Sequence, residues 1–164
     1  MLGTSPSVRC FLSLIDGARS EAGQSFNITT WAEKISPRGF TLCAKVWDGR
    51  QQMGEVGVQW IANNPDEPSI RSGEIQVDSI KWRETLRGSV RFARPLSLRN
   101  DGDEQDRPSA VLVGLQGMEC DFDKHNLRFK IETSNCGALG FSFKAGSRDT
   151  TRMKHGRWSW LVVA

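Results

Sequence analysis

The sequence predicts an all-β protein built from antiparallel β-sandwich units of about six short strands. Several segments alternate apolar and polar residues with a period of two, and Gly, Pro, Asn and Asp cluster between them. No segment keeps the 3.6-residue apolar period of an amphipathic helix. The chain has 164 residues, of which 38% are hydrophobic and 25% charged, as is typical of a soluble globular protein.

Six strands are predicted in the second half of the chain. The clearest is residues 127–132, where Leu127, Phe129 and Ile131 alternate with charged residues, so that one face should be buried and the other solvated. The same reasoning predicts strands at residues 73–77, 89–92, 110–115, 141–144 and 158–160.

The first half repeats part of this pattern. Its predicted strands, at residues 26–30, 40–47 and 56–60, have the order and spacing of the last three strands of the second half. Gly39 precedes Gly140 by 101 positions, and Trp60 precedes Trp160 by 100.

This repeat predicts two tandem units, of which the first is incomplete. The predicted boundaries are a truncated unit at 1–62, a linker at 63–72 and a complete unit at 73–164. Because the first unit lacks the opening strands, it should leave a sheet edge open. Two explanations stay open: the chain is the C-terminal part of a longer tandem protein, or a partner covers the edge.

Charge and motif content exclude several classes of function. The 22 Lys and Arg against 19 Asp and Glu give a net charge of +3 spread over both halves, which does not suggest nucleic-acid binding. No apolar stretch approaches the ~18 residues of a membrane span, and we recognise no signal peptide, so the compartment stays open. The sequence has no H-E-x-x-H, G-x-S-x-G or C-x-x-C motif, and we expect neither enzymatic activity nor a metal or cofactor.

The tryptophans divide into predicted core and surface positions. Trp60 and Trp160 stand in apolar alternation near the ends of their units and should be buried, with Trp158 on the same inner face as Trp160. Trp47 shares the parity of the polar residues of its strand, so it should point outward. Trp82 falls in a predicted loop.

A series of short segments in the second half carries a family resemblance. In chain order they are residues 72–75, 90–92, 95–96, 108–115, 126–129, 140–141 and 158–161. Together they resemble the H-type lectin domain, the family of the snail agglutinins and the C-terminal domain of the discoidins. Residues 6–62 resemble the later two thirds of a second copy. The resemblance implies a small antiparallel β-sandwich that assembles into trimers and binds galactose-type sugars, especially N-acetylgalactosamine.

The resemblance also implies site residues. Sites of this family are shared between neighbouring protomers, one giving an Arg and the other an aromatic and a polar residue. Carried over by position, the carbohydrate-binding residues are Trp47, Asp48, Arg128 and Asp149. Neither unit holds a complete set: the first has Asn27 at the Arg position, and the second has Arg148 at the aromatic position. An Arg face from one unit and a Trp face from the other can still meet across a contact between units.

Two functions follow as hypotheses. The first is a lectin that binds glycans of the galactose and N-acetylgalactosamine type in adhesion or agglutination, with Trp47 stacking on the sugar and Arg128 hydrogen-bonding its hydroxyls. In the alternative, the chain is a structural oligomerisation module that has lost sugar binding, as the incomplete residue sets suggest. Both predict association into a homo-oligomer, and neither fixes the sugar, the oligomer size or the disulfide state.

Overall fold

The computed structural model describes residues 4–17, 25–47, 53–81, 84–98, 107–122, 129–147 and 151–164. Within these ranges every regular element is a β-strand, and every strand pair is antiparallel, which confirms the predicted fold class. None of the described residues forms a helix with the length and apolar character of a membrane span. The ten strands are β1 Ser7–Gly17, β2 Ser25–Ser36, β3 Gly39–Trp47, β4 Met53–Asn63, β5 Ile70–Val77, β6 Thr85–Arg91, β7 Ala110–Phe122, β8 Phe129–Gly137, β9 Gly140–Ser147 and β10 Thr151–Val163.

Nine of these strands contain or overlap the predicted segments, and β1 is an addition. Within β1, Val8, Cys10 and Phe11 are all buried, so both faces of the strand are covered. A strand covered on both faces does not alternate cleanly between apolar and polar residues. Its sequence therefore lacks the period-two signal by which the other strands were predicted.

Strands β5 to β10 form a six-stranded β-sandwich. One layer contains β7, β10 and β5, and the other contains β6, β9 and β8. Trp158 and Trp160 are buried between the layers, as predicted, and Phe129 and Ile131 pack against the same cluster. Leu127, predicted to share their face, lies outside the described residues. The buried cluster is Ile75, Val77, Ile80, Leu96, Phe141, Ala145, Met153, Trp158, Trp160 and Val162.

Strands β1 to β4 show strand pairings that resemble part of this sandwich. The pair β1 and β4 corresponds to β7 and β10, and the pair β2 and β3 corresponds to β8 and β9. Among the described residues there is no counterpart of β5 and β6 in the first half. Strand β2 also pairs with β7, which produces a five-stranded sheet in the order β3, β2, β7, β10, β5. This one sheet contains strands from both sides of the predicted linker at residues 63–72. The unit boundaries therefore stay a prediction.

The β2–β3 and β8–β9 hairpins share an irregular backbone. Lys34 and Asn135 have positive φ angles of 54° and 50°, and Gly39 and Gly140 have φ angles of 151° and 153°. Each hairpin also has a register shift just before its turn. Both pairs of residues are 101 positions apart, the spacing that the sequence repeat predicts.

The prediction that Trp60 is a core residue is wrong. Its side chain is 52% exposed, whereas that of Trp160 is 6% exposed. Trp60 meets Phe40 edge-on at 4.9 Å between ring centroids, as Trp160 meets Phe141 at 5.5 Å. Trp160 is also stacked on Phe92, the residue that follows β6. Since the first half has no described counterpart of β6, the ring of Trp60 has no second aromatic cover.

A buried polar network joins the two halves. The amide Nε2 of Gln116 on β7 donates to the carbonyl of Thr30 on β2, and the hydroxyl of Thr30 donates to the carbonyl of Gln116, both at 3.0 Å. The hydroxyl of Ser159 on β10 donates to Oε1 of Gln116 at 3.0 Å. A buried network satisfied in this way fixes the relative position of its strands. The first half is therefore attached to the second through β2 rather than only through the connecting chain.

All four cysteines are free thiols, and their environments differ. Cys120 is fully buried, and this burial raises the pKa of its thiol to about 12. The thiolate is the reactive form of cysteine. We therefore expect Cys120 to resist alkylation by iodoacetamide at pH 8 in the folded protein, while Cys43, which is partly exposed on β3, is modified faster. Mass spectrometry of the alkylated protein measures both rates.

The raised pKa of Cys120 also predicts a pH effect on stability. In the unfolded chain the thiol ionises near its ordinary value of 9.0, but in the folded chain it keeps its proton to about pH 12. The folded state then binds more protons than the unfolded state, so the free energy of unfolding should fall as pH rises above about 9. Urea unfolding between pH 8 and 10.5 should show a shallower fall for Cys120→Ala. An identical slope in both proteins would refute this assignment.

Candidate functional site

A groove crosses one face of the five-stranded sheet and has a volume of about 370 Å³. All five strands of the sheet contribute to it, two from the first half and three from the second. The residues that line it are Asn27, Ile28, Thr29, Trp47, Gln76, Gly117, Met118, Glu119, His155, Gly156 and Arg157.

The register of the sheet places four of these residues in one row. Trp47 on β3 is the Cα partner of Asn27 on β2, Asn27 is the partner of Glu119 on β7, and Glu119 is the partner of His155 on β10. Directly paired residues in an antiparallel sheet share a face, with Cβ atoms ~5 Å apart. An aromatic ring therefore stands at one end of a line of three polar side chains.

A second row runs parallel to the first, two residues along each strand. Lys45, Thr29, Gly117, Arg157 and Gln76 are successive partners in it. Because the side-chain period of a strand is two, both rows lie on the same face. Thr29 leans over Gly117, where a Cβ atom would lie 2.5 Å from its hydroxyl oxygen. The absence of a side chain at Gly117 therefore makes room for the side chain of Thr29, which a residue with a Cβ atom at this position would displace.

Trp47 supplies the apolar surface of the site. Its side chain is 42% exposed, which confirms the outward orientation predicted from its parity. The Nζ atom of Lys45 lies 5.4 Å from the ring centroid, within the distance of a cation–π contact. The exposed part of the ring is a flat apolar surface that C–H groups of a ligand can contact.

Asn27 carries an unsatisfied acceptor. Its Oδ1 atom is buried and has no hydrogen-bond partner among the described residues. Buried polar atoms are nearly always hydrogen-bonded. An acceptor without a partner in the wall of a groove can therefore accept a hydrogen bond from a bound ligand. A ligand hydroxyl is a donor of the right size for this place.

The polar and charged side chains of the groove make only loose contacts with neighbouring charged groups. The Nε atom of Arg157 lies 3.9 Å from Glu74 on β5, and Nδ1 of His155 lies 4.0 Å from Asp78. The Glu119 carboxylate is 3.7 Å from Nζ of Lys154, whose pKa is raised mainly by its hydrogen bond to Asp121. Exposed pairs of this kind contribute little to stability, so these groups can turn towards a ligand at small cost.

Both donors and acceptors thus face the same space. Arg157 is a permanent donor, and Glu119 and the orphan oxygen of Asn27 are acceptors. Within the ranges that the structure describes, no group of three or more His, Cys, Asp or Glu side chains is arranged to hold a metal ion. The arrangement is suited to hydrogen bonding of a polar ligand with one apolar face.

Of the four site residues that the sequence predicts, the structure places only Trp47. Asp48, Arg128 and Asp149 lie outside the described residues, as does Trp82. Asn27, which stands at the position that the resemblance gives to an Arg, is the direct strand partner of Trp47.

Sequence reasoning missed the polar residues that meet Trp47 from the second half, because they reach it only through the pairing of β2 with β7. A partial signal was present: His155 and Arg157 alternate with the inward Trp158 and Trp160 and therefore had to face outward. Nothing in the sequence says that Trp47 is their neighbour.

Comparisons with known proteins give limited information. No protein-family model matches the chain, and no curated protein matches it. Among solved structures it is similar to recombinant discoidin II of Dictyostelium discoideum, at 12% sequence identity over 98% of this chain and 73% of that one, with a TM-score of 0.47. The β-sandwich assignment therefore rests on the strands and their pairing rather than on this likeness.

Proposed function

We propose that the chain is a carbohydrate-binding protein and that the groove on the five-stranded sheet is its site. The observation that carries this proposal is the row of Trp47, Asn27, Glu119 and His155 across four strands. A sugar ring needs a flat apolar surface for its C–H face and polar groups that match its hydroxyls. The row and its neighbour Arg157 offer both within one groove.

The binding mode follows from the chemistry of each group. The apolar face of the sugar stacks on Trp47, and one hydroxyl donates to the buried Oδ1 atom of Asn27. Glu119 accepts from a second hydroxyl, and Arg157 donates to an oxygen on the opposite side. A groove of about 370 Å³ lies at the small end of ligand sites, which begin at about 300 Å³. It fits one or two sugar residues, and binding involves no covalent step.

The class of sugar comes from the sequence resemblance, which favours galactose and N-acetylgalactosamine. In that family each site is shared between protomers, and here the groove is shared between the two halves of one chain. Asp48, Arg128 and Asp149 remain proposed contributors to sugar binding. Association into a homo-oligomer, with several sites acting together in adhesion or agglutination, is part of the same proposal.

Replacement of Trp47 should weaken sugar binding without unfolding the protein. Loss of a stacking aromatic costs about 1–3 kcal/mol, or roughly ten- to hundredfold in affinity. Calorimetric titration of Trp47→Ala with N-acetylgalactosamine measures this effect, and Trp60→Ala is the matched control because Trp60 is an exposed Trp outside the groove. An unchanged affinity in Trp47→Ala would place the site elsewhere.

The composite nature of the site has its own test. If both halves form it, Arg157→Ala on β10 should also lower the affinity, since it removes a donor on the far side of the groove from Trp47. Because Arg157 is exposed, thermal melting should stay close to that of the parent chain. A parent chain that binds no glycan on an array of galactose-type sugars would instead favour the structural module.

A further inference from the structure

A second surface of the molecule is apolar and exposed, unlike the groove with its row of polar side chains. We define the open face as Phe40, Leu42 and Ala44 on β3 together with Val58 and Trp60 on β4. Leu42 is 39% exposed and Trp60 is 52% exposed. Exposed apolar clusters of this kind mark sites of interaction with other chains.

The internal repeat shows what such a face looks like when it is covered. Phe141 and Ala145 stand 101 positions after Phe40 and Ala44, and they are 3% and 0% exposed. The cover in the second half comes from β5 beside β10 and β6 beside β9. Residues 75 and 77 on β5 are in the buried cluster, and Phe92 after β6 stacks on Trp160.

The first half has the matching free edges. Among the described residues β4 pairs only with β1, and β3 pairs only with β2, whereas β10 and β9 each have two neighbours. A groove of about 570 Å³ runs beside β4, between Trp60 and Leu112, which is 44% exposed. Strand β4 therefore has an unpaired edge and also borders a groove. Free edges accept an added strand through main-chain hydrogen bonds.

We propose that the open face is a docking surface for a pair of β-strands with the chemistry of β5 and β6, supplied by a polypeptide segment outside residues 1–164. One donated strand pairs with the free edge of β4, and the other pairs with the free edge of β3. A second copy of this chain is a poor donor, because its own β5 and β6 are held in its own sandwich.

The repeat also specifies the sequence of the partner. Gly73 on β5 is the Cα partner of Trp160, and a Cβ atom at that position would lie 2.5 Å from the indole ring. The strand beside β4 must therefore carry Gly opposite Trp60, so that the ring can lie over it. Apolar residues should follow two and four positions later, as Ile75 and Val77 do, and the second strand should end in an aromatic residue like Phe92.

A peptide with the sequence of residues 69–98 is a probe of this surface. Added in excess to the full chain, it should slow amide hydrogen exchange in residues 39–47 and 53–63 at least tenfold, as measured by mass spectrometry. The same peptide with Val in place of Gly73 is the matched control and should give no protection. If the free peptides bind too weakly to be compared, each is tethered to Met1 by a Gly/Ser linker and the exchange measurement is repeated.

Three results would overturn the proposal. One is the absence of protection with both the free and the tethered peptide. Another is equal protection by the Gly and Val peptides, or protection that persists in Trp60→Ser, since either would mean that the probe binds elsewhere. The third is a stable dimer of the chain alone in light scattering that Trp60→Ser converts to a monomer, because a second copy would then occupy the face.

Discussion

Trp160→Ala should lower the free energy of unfolding by about 3–5 kcal/mol, as truncation of a large aromatic in a core does. Trp160 is 6% exposed and packs on Phe92 and Phe141 with ring centroids 5.5 Å away in both cases. Its Nε1 atom has no hydrogen-bond partner among the described residues, so the loss is one of packing rather than of a hydrogen bond. Urea unfolding followed by circular dichroism measures the change.

Trp60→Ala is the control for this experiment, because it removes the same side chain at the position that the predicted repeat matches to Trp160. Since Trp60 is 52% exposed, its removal should cost about 1 kcal/mol, well below the value for a fully buried aromatic. Equal losses in the two variants would show that Trp60 is covered in solution. That outcome would contradict the open face.

Gly140→Ala should be the second most damaging change, with an expected loss of about 2–5 kcal/mol from backbone strain and overpacking. The φ angle of Gly140 is +153°, a value that residues with a side chain rarely adopt. A Cβ atom there would also lie 2.0 Å from the carbonyl oxygen of Val90 on the neighbouring strand β6. Backbone cannot move aside as a side-chain end can, so β6 would have to shift.

Gly39→Ala separates these two causes. Gly39 has nearly the same φ angle, +151°, but a Cβ atom there would meet nothing within 4 Å. This variant should therefore show the cost of the backbone conformation alone, about 1–3 kcal/mol. Thermal and urea unfolding of both variants give the difference. A loss in Gly140→Ala no larger than in Gly39→Ala would mean that the contact with Val90 relaxes freely.

The core and the groove are coupled through β10. Trp158 and Trp160 face the sandwich interior, while His155 and Arg157 lie on the groove side of the same strand. A variant that unfolds the second half should therefore lose sugar binding as well. For this reason the proposed binding experiments replace Trp47 and Arg157, which are exposed and whose removal should leave the sandwich intact.

The sequence by itself determined the all-β class and the position of nine strands, while the internal repeat stays a prediction. The inward orientation of Trp158 and Trp160 and the outward orientation of Trp47 also followed from the alternation of their strands. This information is local, because the side chains of a strand point alternately to its two faces whatever the rest of the chain does. The 101-residue spacing was equally readable, and the shared backbone irregularities at Lys34 and Asn135 agree with it.

Only the tertiary structure decided what lies opposite each face. The alternation of its strand predicted Trp60 on an inner face. Whether that face is covered depends on strands that are far away in sequence. Among the described residues of the first half there are no counterparts of β5 and β6, so Trp60 stays exposed. The polar row beside Trp47 likewise exists only because β2 pairs with β7 in one register, Asn27 opposite Glu119. Strand register is set by long-range packing and by networks such as that of Gln116, and a shift by one residue would turn every side chain to the other face.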